Sequence, residues 1–323
     1  MKKLTSILFT SALFLSGCSG ASIGAESATG GNATQEQDAD STTKPVEATS
    51  FLGTPLYQQT IDSELDENLK AQIQELEKST TLSEDDYIAL GGLQASRRHY
   101  QDAIKAYSKG LEEFPESYKL RRHRGHRYMT VRELELAIVD FTEAVGLIEQ
   151  SDVREHEYDA KGKAHGTYEH WVWYHIGLYY YLHGDYETAA GAFERCVDTA
   201  ETGDMLIGVS DWLYNIYRRM GQDEKAELLI SRIPVDIEAD TTYPYYKRVM
   251  LYKGEFTPDD ILDNDKPIEE WNGRDMTVAY GLGNWYAYQG KYDKADALHK
   301  AVIKTPFWST WAYLAAEKEQ SQK

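Results

Sequence analysis

Apolar residues in segment 170–200 recur every three or four positions, and a Gly-Asp pair at 184–185 divides the segment into halves. The first half places Trp173, Ile176 and Tyr180 on one helical face. The second half does the same with Tyr186, Ala189, Phe193 and Cys196. Gly184 favours the end of one helix, and Asp185 favours the start of the next. The pattern predicts a helical hairpin, which needs neighbours of the same kind to bury both apolar faces.

The same order of small and large residues recurs along the chain. The pairs Gly91 and Gly125, Ala103 and Ala137, and Tyr107 and Phe141 are each 34 residues apart. Downstream, Gly184, Gly221, Gly254 and Gly290 follow at intervals of 37, 33 and 36 residues. This period and residue order resemble the tetratricopeptide repeat family. The resemblance covers about residues 83–304.

That resemblance implies an all-α fold, a right-handed α-solenoid of helix-turn-helix repeats. We expect about five full copies and one degenerate copy, YYKRVMLYKGEFTPDDIL, in which Asp259 replaces the usual Ala. An amphipathic stripe of Leu65, Leu69, Ile73 and Leu76 predicts an N-terminal capping helix. Ser83 and Asp86 indicate a capping box at the first repeat helix. The segment PFWSTWAYLAAEKEQSQK predicts a C-terminal capping helix that shields the end of the array.

The spacing is interrupted between the second and third repeats. Gly125 and Gly177 are 52 residues apart, 18 more than one period of 34. The extra material is polar and without periodicity, so it predicts a loop insertion at about 148–168. Loops of this length in compact domains are often functional.

The N-terminus resembles a bacterial lipoprotein signal. Residues 1–17 combine two Lys, a short apolar run and the ending Leu-Ser-Gly before Cys18, which predicts a signal peptide with Cys18 as the lipidated residue. Ser19 after the Cys implies the outer membrane, facing the periplasm. Residues 18–58 are expected to form a flexible tether and residues 59–323 the solenoid. The stretches RGHRY, WYHIGLYYYLHGD and DMLIGVSDWLYNIYRRMG resemble a bacterial subgroup of such repeat proteins, a resemblance that brings no activity with it.

Composition and motifs argue against catalysis and against nucleic acid as a partner. The formal net charge is −19, which disfavours nucleic acid and anionic lipid surfaces. We find no catalytic signature, so the chain is predicted to be non-enzymatic and to need no cofactor. No metal site is predicted, because Arg121, Arg122, Arg124 and Arg127 surround the histidines on the same segment and disfavour another cation. Whether the cluster His123, His126, His165 and His170 binds anything stays open.

The face of each inner helix next to its apolar stripe predicts a concave groove rich in Arg, Tyr and Asn. The candidate groove residues are Arg122, His126, Tyr174, Tyr181, Asp211, Asn215, Arg218, Arg219, Arg248, Tyr280, Asn284 and Tyr288. Arg and Tyr dominate binding hot spots, so these residues either bind a partner or pair with acids on neighbouring repeats.

The leading hypothesis is therefore a non-enzymatic, envelope-anchored protein-protein interaction scaffold. It would bind a partner polypeptide carrying carboxylates in its concave groove, and lipid would attach it to the membrane. The alternative is a ligand-capture lipoprotein that holds a sugar or peptide in a pocket lined by Tyr, Trp and His. An open channel favours a polypeptide, and a channel closed by the 148–168 insertion favours a small ligand.

Overall fold

The computed structural model describes residues 44–151, 154–158 and 162–323, and this part of the chain is built mainly from α-helices. Helix α1 (Ser63–Leu76) comes first. Six consecutive pairs follow: α2 (Glu84–Ser96) with α3 (Tyr100–Glu113), α4 (Tyr118–Thr130) with α5 (Leu134–Ser151), α6 (Tyr168–His183) with α7 (Tyr186–Asp198), α8 (Gly203–Arg219) with α9 (Asp223–Ser231), α10 (Tyr243–Lys253) with α11 (Pro258–Ile261), and α12 (Gly273–Tyr288) with α13 (Tyr292–Val302). Helix α14 (Trp311–Ser321) ends the chain. The predicted all-α solenoid is confirmed, and the degenerate copy is the pair in which α11 has only four residues.

Small residues let the two helices of a pair approach closely. A Cβ added at Gly91 would lie 2.2 Å from the Tyr107 ring, and one at Gly177 would lie 2.7 Å from the Phe193 ring. Each aromatic ring follows its glycine by 16 residues. The repeated small and large residues are therefore the two sides of one packing contact. This contact recurs along the array and explains the period of the sequence.

The predicted helix ends are also confirmed. Ser83 and Asp86 form a capping box at the start of α2. Gly184 has φ of 77° and closes α6 in the left-handed conformation, where a side chain is disfavoured. The Asp185 side chain then accepts a hydrogen bond from the backbone N–H of Thr188 and begins α7. Local chemistry thus fixes the turn that divides segment 170–200.

The end of the expected tether is folded. Strands β1 (Val46–Thr49) and β2 (Pro55–Tyr57) form an antiparallel hairpin that buries Ala48 and Leu56. The Glu47 carboxylate accepts a hydrogen bond from the backbone N–H of Gln101 on α3. The prediction of a flexible segment through residue 58 is therefore wrong for 46–57, because these short strands pack on the first repeat. The predicted signal peptide, Cys18 and the tether as far as residue 43 lie outside the described residues.

The insertion between the second and third repeats is more ordered than predicted. Helix α5 continues to Ser151, and strands β3 (His156–Tyr158) and β4 (Ala164–Thr167) pair antiparallel. The Trp171 Nε1–H on α6 donates a hydrogen bond to the carbonyl of His165 on β4, 3.0 Å away. The β3–β4 hairpin thus lies against the inner helices. Among the residues that the model describes, no helix is both long and apolar enough to cross a bilayer.

The last helix does more than cover the end of the array. In α14, Ala312, Leu314 and Ala316 are fully buried, and every residue from Trp311 to Glu317 is buried. A helix buried on all sides is a core element. Ahead of it, the Trp308 indole donates a hydrogen bond to the carbonyl of Tyr57, 251 residues earlier in the chain. The C-terminal segment therefore fills the concave channel and reaches the N-terminal hairpin.

Candidate functional site

The predicted groove residues face the interior of the array but do not form an open surface. Nine of the twelve are buried: Arg122, His126, Tyr174, Tyr181, Asp211, Asn215, Arg248, Tyr280 and Asn284. The other three, Arg218, Arg219 and Tyr288, are partly buried. Helix α14 and the neighbouring repeats occupy the space beside these residues, so the channel is closed at this place.

One side of α14 is held by Arg132, which lies in the turn between α4 and α5. Its Nε–H is 3.0 Å from a carboxylate oxygen of Glu317, and Nη2 donates to the carbonyl of Trp308 at 2.8 Å. Both charged side chains are almost completely buried. Burial raises the pKa of Glu317, and the neighbouring Arg132 opposes that shift. Because the two charges compensate each other, this contact anchors α14 to the second repeat.

The opposite side of α14 is held by residues of later repeats. Glu319 accepts hydrogen bonds from Arg219 of α8 at 2.5 Å and from the Tyr280 hydroxyl of α12 at 2.8 Å. His299 of α13 lies 3.2 Å from the same carboxylate. Burial opposes ionisation of Glu319, but Arg219 and these hydrogen bonds outweigh it and lower the pKa of the carboxyl to about 2. Helix α14 is therefore clamped between the second and fourth repeats.

The remaining charged groove residues are also paired within the chain. Arg248 and Asp211, both fully buried, approach to 2.6 Å. Burial raises the pKa of Asp211 to about 6, against the effect of Arg248. The Asn284 carbonyl accepts a hydrogen bond from Arg219 at 3.0 Å. Of the two alternatives that the sequence left open, pairing with other parts of the chain is the one that the structure shows.

Uncharged groove residues bond to each other in the same way. The Tyr181 and Tyr280 hydroxyls are 2.7 Å apart. The Tyr174 hydroxyl accepts a hydrogen bond from the Trp212 indole at 2.9 Å. Tyr288 donates to the side-chain carbonyl of Asn215 at 3.0 Å. These bonds cross between repeats and make the interior a connected polar and aromatic core.

A second cluster lies beneath the β3–β4 hairpin, and we call it the α4 cluster. It comprises Arg122, His123, His126 and Arg127 of α4, His175 of α6 and Glu157 of β3, all of them buried. Arg122 and Glu157 form an ion pair at 2.9 Å. The rings of His126 and His175 are 4.8 Å apart. Burial, reinforced by the nearby arginines, lowers the pKa values of His123, His126 and His175 well below the usual range, so these three rings are neutral at pH 7.

The other histidines of the predicted cluster are separate from these. His170 is buried against Thr199, and burial lowers its pKa to about 4. His165 lines a small cavity with Trp171, Asp204 and Met205. Within the described ranges, no three His, Cys, Asp or Glu residues are arranged to hold a metal.

Sequence reasoning missed the residues that complete these contacts. Arg132, Glu317 and Glu319 hold α14, and Glu157 completes the α4 cluster. A signal for the first group was present in the terminal segment. PFWSTWAYLAA carries apolar residues on every helical face, whereas a cap that shields only one end needs a single apolar face.

Comparison with known proteins identifies repeats in two parts of the chain. Residues 171–200 and residues 279–307 each match a model of the tetratricopeptide repeat. No curated protein sequence matches the chain.

Several solved structures resemble it at low sequence identity. YrrB, described as a TPR protein with an unusual peptide-binding site, is 15% identical, covers 79% of this chain and 99% of its own, and gives a TM-score of 0.40. A tetratricopeptide repeat protein from Parabacteroides merdae ATCC 43184 is 16% identical, with coverages of 80% and 91% and a TM-score of 0.45. The apo form of the quorum sensor NprR from B. thuringiensis is 13% identical, with coverages of 74% and 82% and a TM-score of 0.39.

Proposed function

Because this chain contains tetratricopeptide repeats, which typically form non-catalytic interaction scaffolds, we propose that it binds a partner polypeptide at the bacterial cell envelope. The support for the location is the apolar run that ends in Leu-Ser-Gly before Cys18. Lipid on Cys18 would attach the protein to the outer membrane on its periplasmic side. Substituting Cys18→Ser should move the protein from the membrane fraction to the soluble fraction. An unmodified peptide containing Cys18 in the mass spectrum of membrane-extracted protein would contradict the anchor.

The filled channel is a poor site for this partner. Trp308, Trp311, Tyr313 and Leu314 are all buried, and exposing each of them would cost about 1.5–3 kcal/mol, or about 6–12 kcal/mol together. Micromolar affinity corresponds to only about 8 kcal/mol. A polypeptide that displaced α14 would need to recover this cost before it bound at all. We therefore place the partner on the outer surface.

The charge of that surface favours a basic partner. The expected preference for carboxylates rested on Arg122, Arg218, Arg219 and Arg248 being available. The structure pairs them with Glu157, Asp223, Glu319 and Asp211, respectively. Each of these pairs uses one acid and one arginine, so the excess of 53 acidic over 34 basic residues, a net charge of −19, is carried by the rest of the chain. Binding to a basic segment should then weaken as salt rises.

The outer face of α5 offers the apolar contacts that an interface centre requires. Leu136 and Val139 are three residues apart on one helical face, and they are 47% and 53% exposed. Glu135 and Glu143 flank them and are also exposed. Tyr179 of α6 donates a hydrogen bond to Glu135, so an aromatic ring borders the patch. This exposed apolar pair bordered by carboxylates is the observation that carries the proposed interface, and it fits a polypeptide with interspersed basic and apolar side chains.

A matched pair of variants tests the α5 surface. We expect Leu136→Ser combined with Val139→Ser to abolish capture of the partner from detergent-solubilised envelope, with helical content unchanged. Leu228→Ser is the control, because Leu228 on α9 is 54% exposed and equally apolar. Equal loss of capture in the control, or full capture by the α5 variant, would contradict this surface.

The closed channel also supports the second candidate function, capture of a small ligand. The β3–β4 hairpin covers the α4 cluster, and Tyr168, Trp171 and Tyr174 lie beside it. Polar side chains buried in an aromatic enclosure are the composition of a ligand site.

A further inference from the structure

Arg127 is a buried cation without a carboxylate. Its relative exposure is 5%, and no Asp or Glu in the described ranges lies within ion-pair distance of its guanidinium. Its Nη2 donates to the neutral ring of His126, and its guanidinium lies 5.9 Å from the Tyr100 ring centroid. Glu157, the nearby carboxylate, is paired with Arg122. The α4 cluster therefore encloses two guanidinium groups, three neutral imidazoles and one carboxylate, and retains an excess positive charge.

Hydrogen-bond roles show which atoms in the cluster lack a partner. Arg122 can only donate, so the His123 Nδ1 that lies 3.0 Å from it accepts, and the proton of this neutral ring is on Nε2. That Nε2–H has no hydrogen-bond partner within the described structure. The same is true of Nε–H in Arg122 and in Arg127. Nη2 of Arg122 contacts Glu157 only as an ion pair, and both carboxylate oxygens of Glu157 and Nε2 of His175 also have no hydrogen-bond partner there. The unsatisfied donors therefore include Nε2–H of His123 and the two Nε–H groups of Arg122 and Arg127, which belong to cations.

The donors have a common location on α4. His123 and Arg127 are four residues apart, so they lie on one face of the helix, about one turn apart. Tyr107 stacks on His123 at 5.7 Å, and Tyr100 lies against Arg127, so α3 supplies aromatic walls to the same face. Water can satisfy unpaired donors, but it cannot neutralise a buried charge.

We propose that the α4 cluster binds a small monovalent anion, of the size of formate or chloride, between Arg127 and His123. The anion would accept from Nε–H of Arg127 and Nε2–H of His123 and would pair with the guanidinium charge, as Glu157 does for Arg122. Because Arg127 and His123 are only 5% and 4% exposed, the ligand is limited to a few atoms. The proposal rests on the second candidate function, capture of a small ligand, and specifies that ligand as a small anion. It does not depend on the α5 surface.

Thermal unfolding at constant ionic strength tests the proposal. Sodium formate is exchanged for sodium gluconate, whose anion is too large for the cluster. Because a ligand that binds only the folded state stabilises it, we expect Tm of the full chain to rise by about 3–6 °C per tenfold increase in formate above Kd. A Tm that is the same in both salts would overturn the proposal and would indicate that water alone satisfies these donors.

Variants separate an anion at this site from a general salt effect. Arg127→Met keeps the length of the side chain without its charge, so Tm should lose its dependence on formate and should not fall in gluconate. Arg132→Met is the matched control, because Arg132 is also buried but is paired with Glu317. This control should lower Tm in both salts and keep the formate dependence. A formate response that persists in Arg127→Met would overturn the assignment.

A second variant and a direct measurement locate the anion. His123→Phe keeps a ring against Tyr107 but removes one donor, so the response to formate should weaken without being lost. In crystals grown with sodium bromide, an anomalous peak beside Nε of Arg127 would support the site. Peaks confined to the surface would overturn it.

Discussion

Reversing the charge of Arg219 tests whether α14 fills the channel. In the structure the Arg219 guanidinium donates to Glu319 of α14 and to Asn284 of α12. Substituting Arg219→Glu would place a second carboxylate beside Glu319 and leave Asn284 without its donor. The two side chains of this pair are 19% and 22% exposed, and breaking a fully buried ion pair by removing one partner costs about 3–5 kcal/mol, which is the upper bound here. We expect the free energy of unfolding to fall by about 2–4 kcal/mol.

Arg218→Glu is the matched control for this experiment. The side chains of Arg218 and Arg219 are both 19% exposed, and the residues are adjacent. Arg218, however, pairs with Asp223 and Glu227, which are 64% and 60% exposed. Because exposed ion pairs contribute little, the control should lose about 1 kcal/mol or less.

Urea denaturation followed by far-ultraviolet circular dichroism measures both values. The double variant Arg219→Glu with Glu319→Arg should recover part of the loss, because it restores opposite charges at the same contact. If Arg219→Glu is no more destabilising than Arg218→Glu, α14 is not clamped at this position. The channel would then be open, and the sequence-based groove prediction would regain its support.

Three further predictions concern stability. Gly177→Leu should lower the free energy of unfolding by about 1–3 kcal/mol, seen as a lower Tm, because a side chain there meets the Phe193 ring; an unchanged Tm would contradict the helix packing. Trp311→Ala should cost about 3–5 kcal/mol in urea denaturation, and a loss below about 1 kcal/mol would show that α14 is not part of the core. Burial lowers the pKa of His170 to about 4, below the ordinary value of about 6.5, so the unfolded chain binds this proton first. The stabilisation is therefore complete above pH about 6.5 and declines by about 3 kcal/mol as pH falls to about 4, and His170→Gln should reduce that slope in urea titrations.

The sequence was sufficient for those parts of the fold that depend on local patterns. The period of 34 residues follows from one packing contact, a small residue against an aromatic ring of the partner helix, as at Gly91 and Tyr107. Helix ends at Ser83 and Gly184 depend on side chains and conformations within a few residues. Such features depend on residues that are close together in the sequence, so they could be predicted without knowing the tertiary contacts around them.

The candidate site depended on distant contacts, which the sequence pattern did not reveal. Helical spacing identified Arg122, Arg219 and Arg248 as inward-facing, which they are. It could not show that a helix 100 residues further along the chain supplies the partner of Arg219. The side of a helix on which a residue lies follows from local spacing, whereas the exposure of its side chain depends on the whole fold. The short strands at 46–57 were missed for the same reason, because they are held in place by hydrogen bonds to α3 and to Trp308.

The contact between the C-terminal segment and the N-terminal hairpin changes how this array is expected to fold. In an open solenoid each repeat contacts only its neighbours, so folding can begin anywhere and spread gradually. Here Arg132 and Glu317 are 185 residues apart, and Trp308 bonds to Tyr57 across 251 residues. Contacts of such long sequence separation slow folding and join distant repeats into one cooperative unit. These two contacts cannot form until the last residues have been synthesised, which suits a chain that, under the proposed signal, must cross a membrane before it folds.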